Sequence, residues 1–273
     1  MKIRKDIIFF LLGCSVSICS VSYAGISVSP STCEIVVEED GISKGKYTVV
    51  NEDKEKTHVK VEPEDWLKAK TGLRGMAVGN WLTLTPMEFD LEGQQSQEVE
   101  YAIKLPVDIK GEVVAMVFFV TGGSGSAPGT LGISTRIGAP IYAAMANSVK
   151  LGCSVKDITI NNNTIETQDG KKENKGIMFS IVIENSGNVH LRPTGEIVIK
   201  SSDGKEYRVG IERYFAIYPG KSLPYPVTWE EANIPRGKYS AHITLDYGNI
   251  YNVDRKIEKE IKFVVKRNGS VSF

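Results

Sequence analysis

Few residues in this chain have the type and spacing that chemistry needs. The three histidines, His58, His190 and His242, stand apart from one another and from any cysteine or carboxylate pair at metal-ligand spacing. Zinc sites draw on closely spaced ligands, so no metal is expected. His190 follows Gly187-Asn188 and precedes Arg192-Pro193, while His242 alternates with Ala241 and Ile243. Solvated or core-edge imidazoles explain both better than general bases do. Glu62, Glu64 and Asp65 gather before Trp66 as a hydrolase's carboxylates would. Charge on the solvent face of a strand or its following turn is the commoner origin of such a cluster. Gly122-Gly123-Ser124-Gly125-Ser126 has the glycines of a phosphate loop but lacks the Lys-Ser/Thr pair and the following helix pattern. It reads as a connection between two strands. The expectation is a protein that is not an enzyme, with no cofactor and no small-molecule substrate, whose work is binding.

The elements that carry these residues begin after an amino-terminal segment of distinct character. Lys2, Arg4 and Lys5 precede the apolar residues 7–12, and small residues stand at Ser22 and Ala24. This is the layout of a signal peptide over residues 1–24, with a mature start at Gly25 and a periplasmic or secreted destination. Leu11-Leu12-Gly13-Cys14 also loosely resembles a lipoprotein cleavage site, which would leave Cys14 lipid-anchored. No later stretch approaches the ~20 apolar residues of a spanning helix, so no transmembrane segment is expected in the mature chain. The 33 basic and 33 acidic side chains cancel, which removes the field that would draw nucleic acid. Cleavage would leave two of the four cysteines, Cys33 and Cys153, in an oxidising compartment. They form either a disulfide between the first strands of two domains or two separate buried thiols; pairing requires Cα atoms within about 7 Å.

From Ile26 onward the chain returns repeatedly to short alternating runs, with almost no apolar period of 3.6. Strands are expected around residues 26–28, 34–37, 46–51, 58–66, 81–85, 97–105, 113–121 and 131–143. A second series covers 155–160, 177–184, 194–200, 206–211, 223–228, 239–246 and 256–265, with a short helix possible at 229–233. Clusters such as Glu39-Asp40-Gly41, Leu91-Glu92-Gly93, Asn161-Asn162-Asn163 and Ser202-Asp203-Gly204 supply turns between them. Strands at this spacing in 273 residues predict an all-β protein of two tandem immunoglobulin-like sandwiches, over 25–148 and 149–273. Tyr239 is either the corner tyrosine of the second sandwich, bonding back to nearby backbone, or an ordinary strand tyrosine at a sheet edge.

The first domain carries a resemblance in the order of its segments. Residues 26–37 resemble the opening strand of the PapD-like periplasmic pilus chaperones. Tyr47-Thr48-Val49-Val50-Asn51 resembles the second strand of that family, and Trp81-Leu82-Thr83-Leu84-Thr85-Pro86 followed by Phe89-Asp90-Leu91-Glu92-Gly93 its central strand and turn. Residues 113–120 and 131–142 resemble its last two strands around a loop. The resemblance implies a chaperone that lends its last strand to a pilus subunit by β-strand addition. Leu131, Ile133, Thr135, Ile137 and Ile141 would then face the partner on one side of that strand, with Arg136 on the other. The bland alternative is that these apolar side chains complete the domain's own core, which is favoured for Ile137 and Ile141 and is equally good for Leu131 and Ile133. The family's basic anchor pair for a terminal carboxylate is missing: Cys33 and Gly138 stand near the two positions, and Arg136 is close enough to replace only one of them. The expected partners are therefore protein subunits of a pilus or other surface structure. The rival reading is a structural or adhesive surface protein with two complete sandwiches.

Overall fold

The computed structural model describes residues 25–38, 41–67, 76–122, 134–167, 169–170, 172–212, 215–231, 233–267 and 269–273. Residues 1–24, where a signal peptide is expected, lie outside the described residues, as do Leu131 and Ile133. The first sandwich is built from β1 (Ile26–Ser29), β2 (Cys33–Val37), β3 (Ile42–Asn51), β4 (Thr57–Asp65), β5 (Leu82–Thr85), β6 (Glu88–Leu91), β7 (Ser96–Lys104), β8 (Glu112–Gly122) and β9 (Ser134–Met145). One sheet has the order β1-β3-β7-β5, and the facing sheet β2-β9-β8-β4-β6. Alternation explains the layering, since successive side chains of a strand point to opposite faces. On β8, Val113, Ala115, Val117 and Phe119 turn inward and are buried; on β3, Tyr47 and Val49 meet them from the other sheet. The Tyr47 and Phe119 rings make an edge-on contact with centroids 5.4 Å apart. Each such large buried side chain contributes about 1.5–3 kcal/mol of burial free energy.

The second sandwich comprises β10 (Cys153–Glu166), β11 (Lys172–Asn185), β12 (Thr194–Ser201), β13 (Glu206–Ile211), β14 (Ser222–Trp229), β15 (Gly237–Asp246), β16 (Lys256–Val265) and β17 (Val271–Ser272). Its sheets are β10-β11-β14 and β13-β12-β15-β16-β17. Ile177, Phe179, Ile181 and Ile183 on β11 face Ile197 and Ile199 on β12 and Ala241, Ile243 and Leu245 on β15 across this core. The all-β, two-sandwich architecture thus follows from the alternation in the sequence. Among the described residues no helix is long and apolar enough to cross a membrane.

Several local expectations change. Residues 161–163 do not turn but continue β10, and the hairpin closes further on, where Gly170 takes φ +75° and donates to the Thr167 carbonyl at 2.8 Å. A register shift beside Asn162 absorbs the irregularity. Trp229 ends β14 instead of opening a helix, because the inward series Tyr225, Val227, Trp229 carries the strand's period to its end. Residues 88–91 form a strand that pairs with β4. The Tyr239 hydroxyl donates to the Pro235 carbonyl at 2.6 Å, which is the corner-tyrosine alternative.

The Cys33–Cys153 disulfide is not formed: both are free thiols. Cys33 is buried in the first core, and Cys153 packs against the second, so each side chain is committed to a different domain. Burial raises the pKa of Cys33 against the opposing hydrogen bonds of Tyr47 and Tyr101, and it pushes Cys153 up to about 12. Burial thus disfavours the thiolate, the reactive form, at both positions.

Candidate protein-binding edge

The seam that bears on binding arises because the opening segment changes sheets. β1 pairs antiparallel with β3, from Ile26 opposite Asn51 to Ser29 opposite Thr48. The chain then crosses at Pro30, and β2 runs parallel to β9, from Cys33 opposite Ile141 to Val37 opposite Met145. β2 therefore closes only the second half of β9. Residues 134–140 pair with β8, from Gly122 opposite Ser134 to Met116 opposite Pro140. On their other side no described strand pairs with them. Unpaired backbone groups in such a row are a template for another strand.

The side chains along this row divide by the period of two. Ala139 and Ile141 are buried, Ile137 packs against the first core, and Thr135 is half-buried on the same side. Arg136 and Gly138 are exposed on the opposite face. Of the proposed partner-facing residues, the structure therefore brings Thr135 and Ile137 together on the inward face and turns Arg136 away. Ile141 lies in the domain's own core, and Ile137 packs partly buried against it.

Arg136 does not serve as a free anchor. Its guanidinium lies 3.5 Å from the centroid of the Phe118 ring, bonds to the Glu64 carboxylate and stands 3.6 Å from Glu62. Glu62 and Glu64, read from sequence as a carboxylate cluster on a solvent face, are thus held by Arg136 across β8. Gly138 leaves room for its neighbours: a Cβ there would come within 2.9 Å of the Met116 sulfur and 3.0 Å of the Phe118 ring.

Where β9 reaches the second domain, Tyr142 borders a cleft of about 620 Å³ whose other walls include Phe215, Ala216, Tyr218 and Leu223. Beneath it the two domains meet at His190. This residue departs from its sequence reading: it is neither solvated nor at a core edge but 1% exposed, held between carboxylates of the first domain. Its local neighbours in sequence gave no sign of this, since both partners come from the other domain.

No protein-family model matches the chain, and no curated protein matches it. Solved structures similar to it include the class 5 fimbriae chaperone CfaA, at 19% identity and a TM-score of 0.43, covering 86% of this chain and 98% of that one. The YadV chaperone is 12% identical with a TM-score of 0.42, covering 87% and 98% respectively. The E. coli chaperone DraB is 17% identical with a TM-score of 0.40, covering 87% and 97%.

Proposed function

We propose that this chain is an exported, non-catalytic binding protein that holds subunits of a pilus or other surface structure by lending them the last strand of its first domain, the strand that ends in β9, through β-strand addition. The observation that supports it is the row at residues 134–140, which no described strand pairs on the side away from β8, where the opening segment crosses between sheets. Strand addition needs an accessible edge for main-chain hydrogen bonds and side-chain positions alternating along it. β9 offers both. The cleft beside Tyr142 gives an added strand a second surface at the domain junction. Export rests on the signal-peptide pattern of residues 1–24, and the pilus-subunit class rests on the order of PapD-like segments in the first domain.

A second reading draws on Ile141, which already fills the domain's own core, and on Ile137, which packs partly buried against it. In it both sandwiches are complete and the protein is a structural or adhesive component that binds through loops.

Capture of periplasmic or culture-fluid proteins by the tagged mature chain separates the two. The parent is compared with a Leu131→Asp, Ile133→Asp double variant whose thermal unfolding matches it. Strand addition expects the parent to retain a small β-rich subunit and the variant to lose it. Equal retention by both, or none by the parent, supports the second reading.

A further inference from the structure

The joint between the two sandwiches is made of charge. His190 Nδ1 lies 2.6 Å from Glu112 Oε2, and its backbone N–H donates to Glu112 Oε1 at 2.7 Å. On the other side of the ring, Nε2 lies 3.3 Å from Glu34 Oε1, which is also 2.9 Å from Arg192 Nε. The Tyr142 ring lies against the imidazole, tilted by 31° at a centroid distance of 3.9 Å, and the Tyr251 hydroxyl donates to the His190 carbonyl at 3.2 Å. The Arg192 guanidinium donates to the Tyr142 hydroxyl at 3.3 Å, and that hydroxyl lies 3.2 Å from the hydroxyl of Tyr218. Glu34, Glu112 and Tyr142 come from the first sandwich; His190, Arg192, Tyr218 and Tyr251 come from the second. The groups facing the imidazole are therefore two carboxylates, one guanidinium and tyrosines.

Both ring nitrogens point at carboxylate oxygens. A neutral imidazole has one N–H, so one nitrogen would set a lone pair against a carboxylate; only the imidazolium donates on both sides. Protonation also balances the joint, with two cations against two anions, which a site this buried requires. We propose that this cluster is a proton-operated latch between the domains: the imidazolium ties Glu112 and Glu34 to the second sandwich, and loss of its proton loosens the joint. Burial opposes the charge, but Glu112 and Glu34 outweigh it and raise the pKa of His190 above its ordinary 6.5. The latch is therefore closed in acid and opens as pH rises through that elevated value. Glu34 is the register partner of Tyr142 in the β2–β9 pair, so the latch grips the strands that end the open row.

The test is NMR on the full mature protein between about pH 5 and about pH 9, the range over which histidines titrate. Ring signals of His190 are followed together with the relative domain orientation from residual dipolar couplings, and exposed His242 is the internal control. The expected result is one fixed orientation while His190 is protonated and a change of orientation with the same midpoint as its titration. His190→Gln should have no such transition. Glu34→Gln, at the more accessible side of the cluster, should lower the His190 midpoint and carry the orientation change down with it. An orientation constant across the His190 titration overturns the proposal. So does a transition retained in His190→Gln, or a His190 midpoint unmoved by Glu34→Gln.

Discussion

Asn51 and Asn185 perform the same task in the two sandwiches, each at the end of a strand with no exposed surface. The Asn51 amide donates to the carbonyls of Glu55, Leu91 and Glu92, while its oxygen accepts from the N–H of Asp53 two residues on. Asn185 donates to Val189 and Ile217 and accepts from the N–H of Gly187. Alanine at either position removes two or more buried hydrogen bonds, although the Glu92 and Ile217 carbonyls keep the N–H groups of Gln95 and Leu191, so Asn51→Ala and Asn185→Ala should each lower stability by about 1–3 kcal/mol. A fall in urea midpoint at unchanged slope checks this. The thiols make a second expectation at this scale. Under non-reducing conditions the folded mature protein should show no Cys33–Cys153 crosslink, and an aromatic disulfide reagent should label both only on unfolding. Asn51 was visible in the sequence as the polar end of an apolar strand. His190 was not, because its carboxylate partners lie 78 and 156 residues away and the tetrapeptide around it looks like an ordinary turn.

At the scale of elements, edges decide what each sandwich can do. Among the described strands β14 pairs only with β11, and Pro224 and Pro226 withdraw two backbone donors from it. Prolines on an outer strand blunt it against unwanted pairing. The open row of β9 carries only Pro140, at its end. Restoring donors with Pro224→Thr, Pro226→Thr should increase concentration-dependent self-association over the parent, measured by sedimentation velocity; equal behaviour would mean the prolines have no such role. Most strands were legible because burial on one face imposes alternation, as along β8, β11 and β15. β6 was not, since Phe89 to Gly93 has the composition of a turn and becomes a strand only by pairing with β4. The half of β9 that β2 does not pair was legible only as an alternating strand. Where β2 begins to pair with it is encoded in no local pattern.

At the scale of the whole molecule, a chain with no net formal charge places the buried Glu112 and His190 of its described residues together at one joint. That joint makes stability depend on pH in a defined direction. Because the folded state holds the His190 proton more tightly than the unfolded chain does, its contribution is fully present below about pH 6.5 and is lost as pH rises through the elevated folded value. Thermal unfolding followed across that range should show a decline in the parent that is absent in His190→Gln; parallel profiles would remove His190 as its source.

The spacing of the joint's members also has a consequence for the order of events during synthesis. A chain is made from its amino end, and domains tend to fold as they emerge. Glu34 and Glu112 are complete long before His190 and Arg192, the former 156 residues ahead of the imidazole. The nascent first sandwich must therefore hold two carboxylates, later brought to a single ring, with no cation of its own at that place from the second domain. Until residue 190 itself emerges, whether from the ribosome or, for an exported chain, on the far side of the membrane, the two carboxylates lack the imidazole and guanidinium that bridge them, and the joint can close only when the second sandwich arrives.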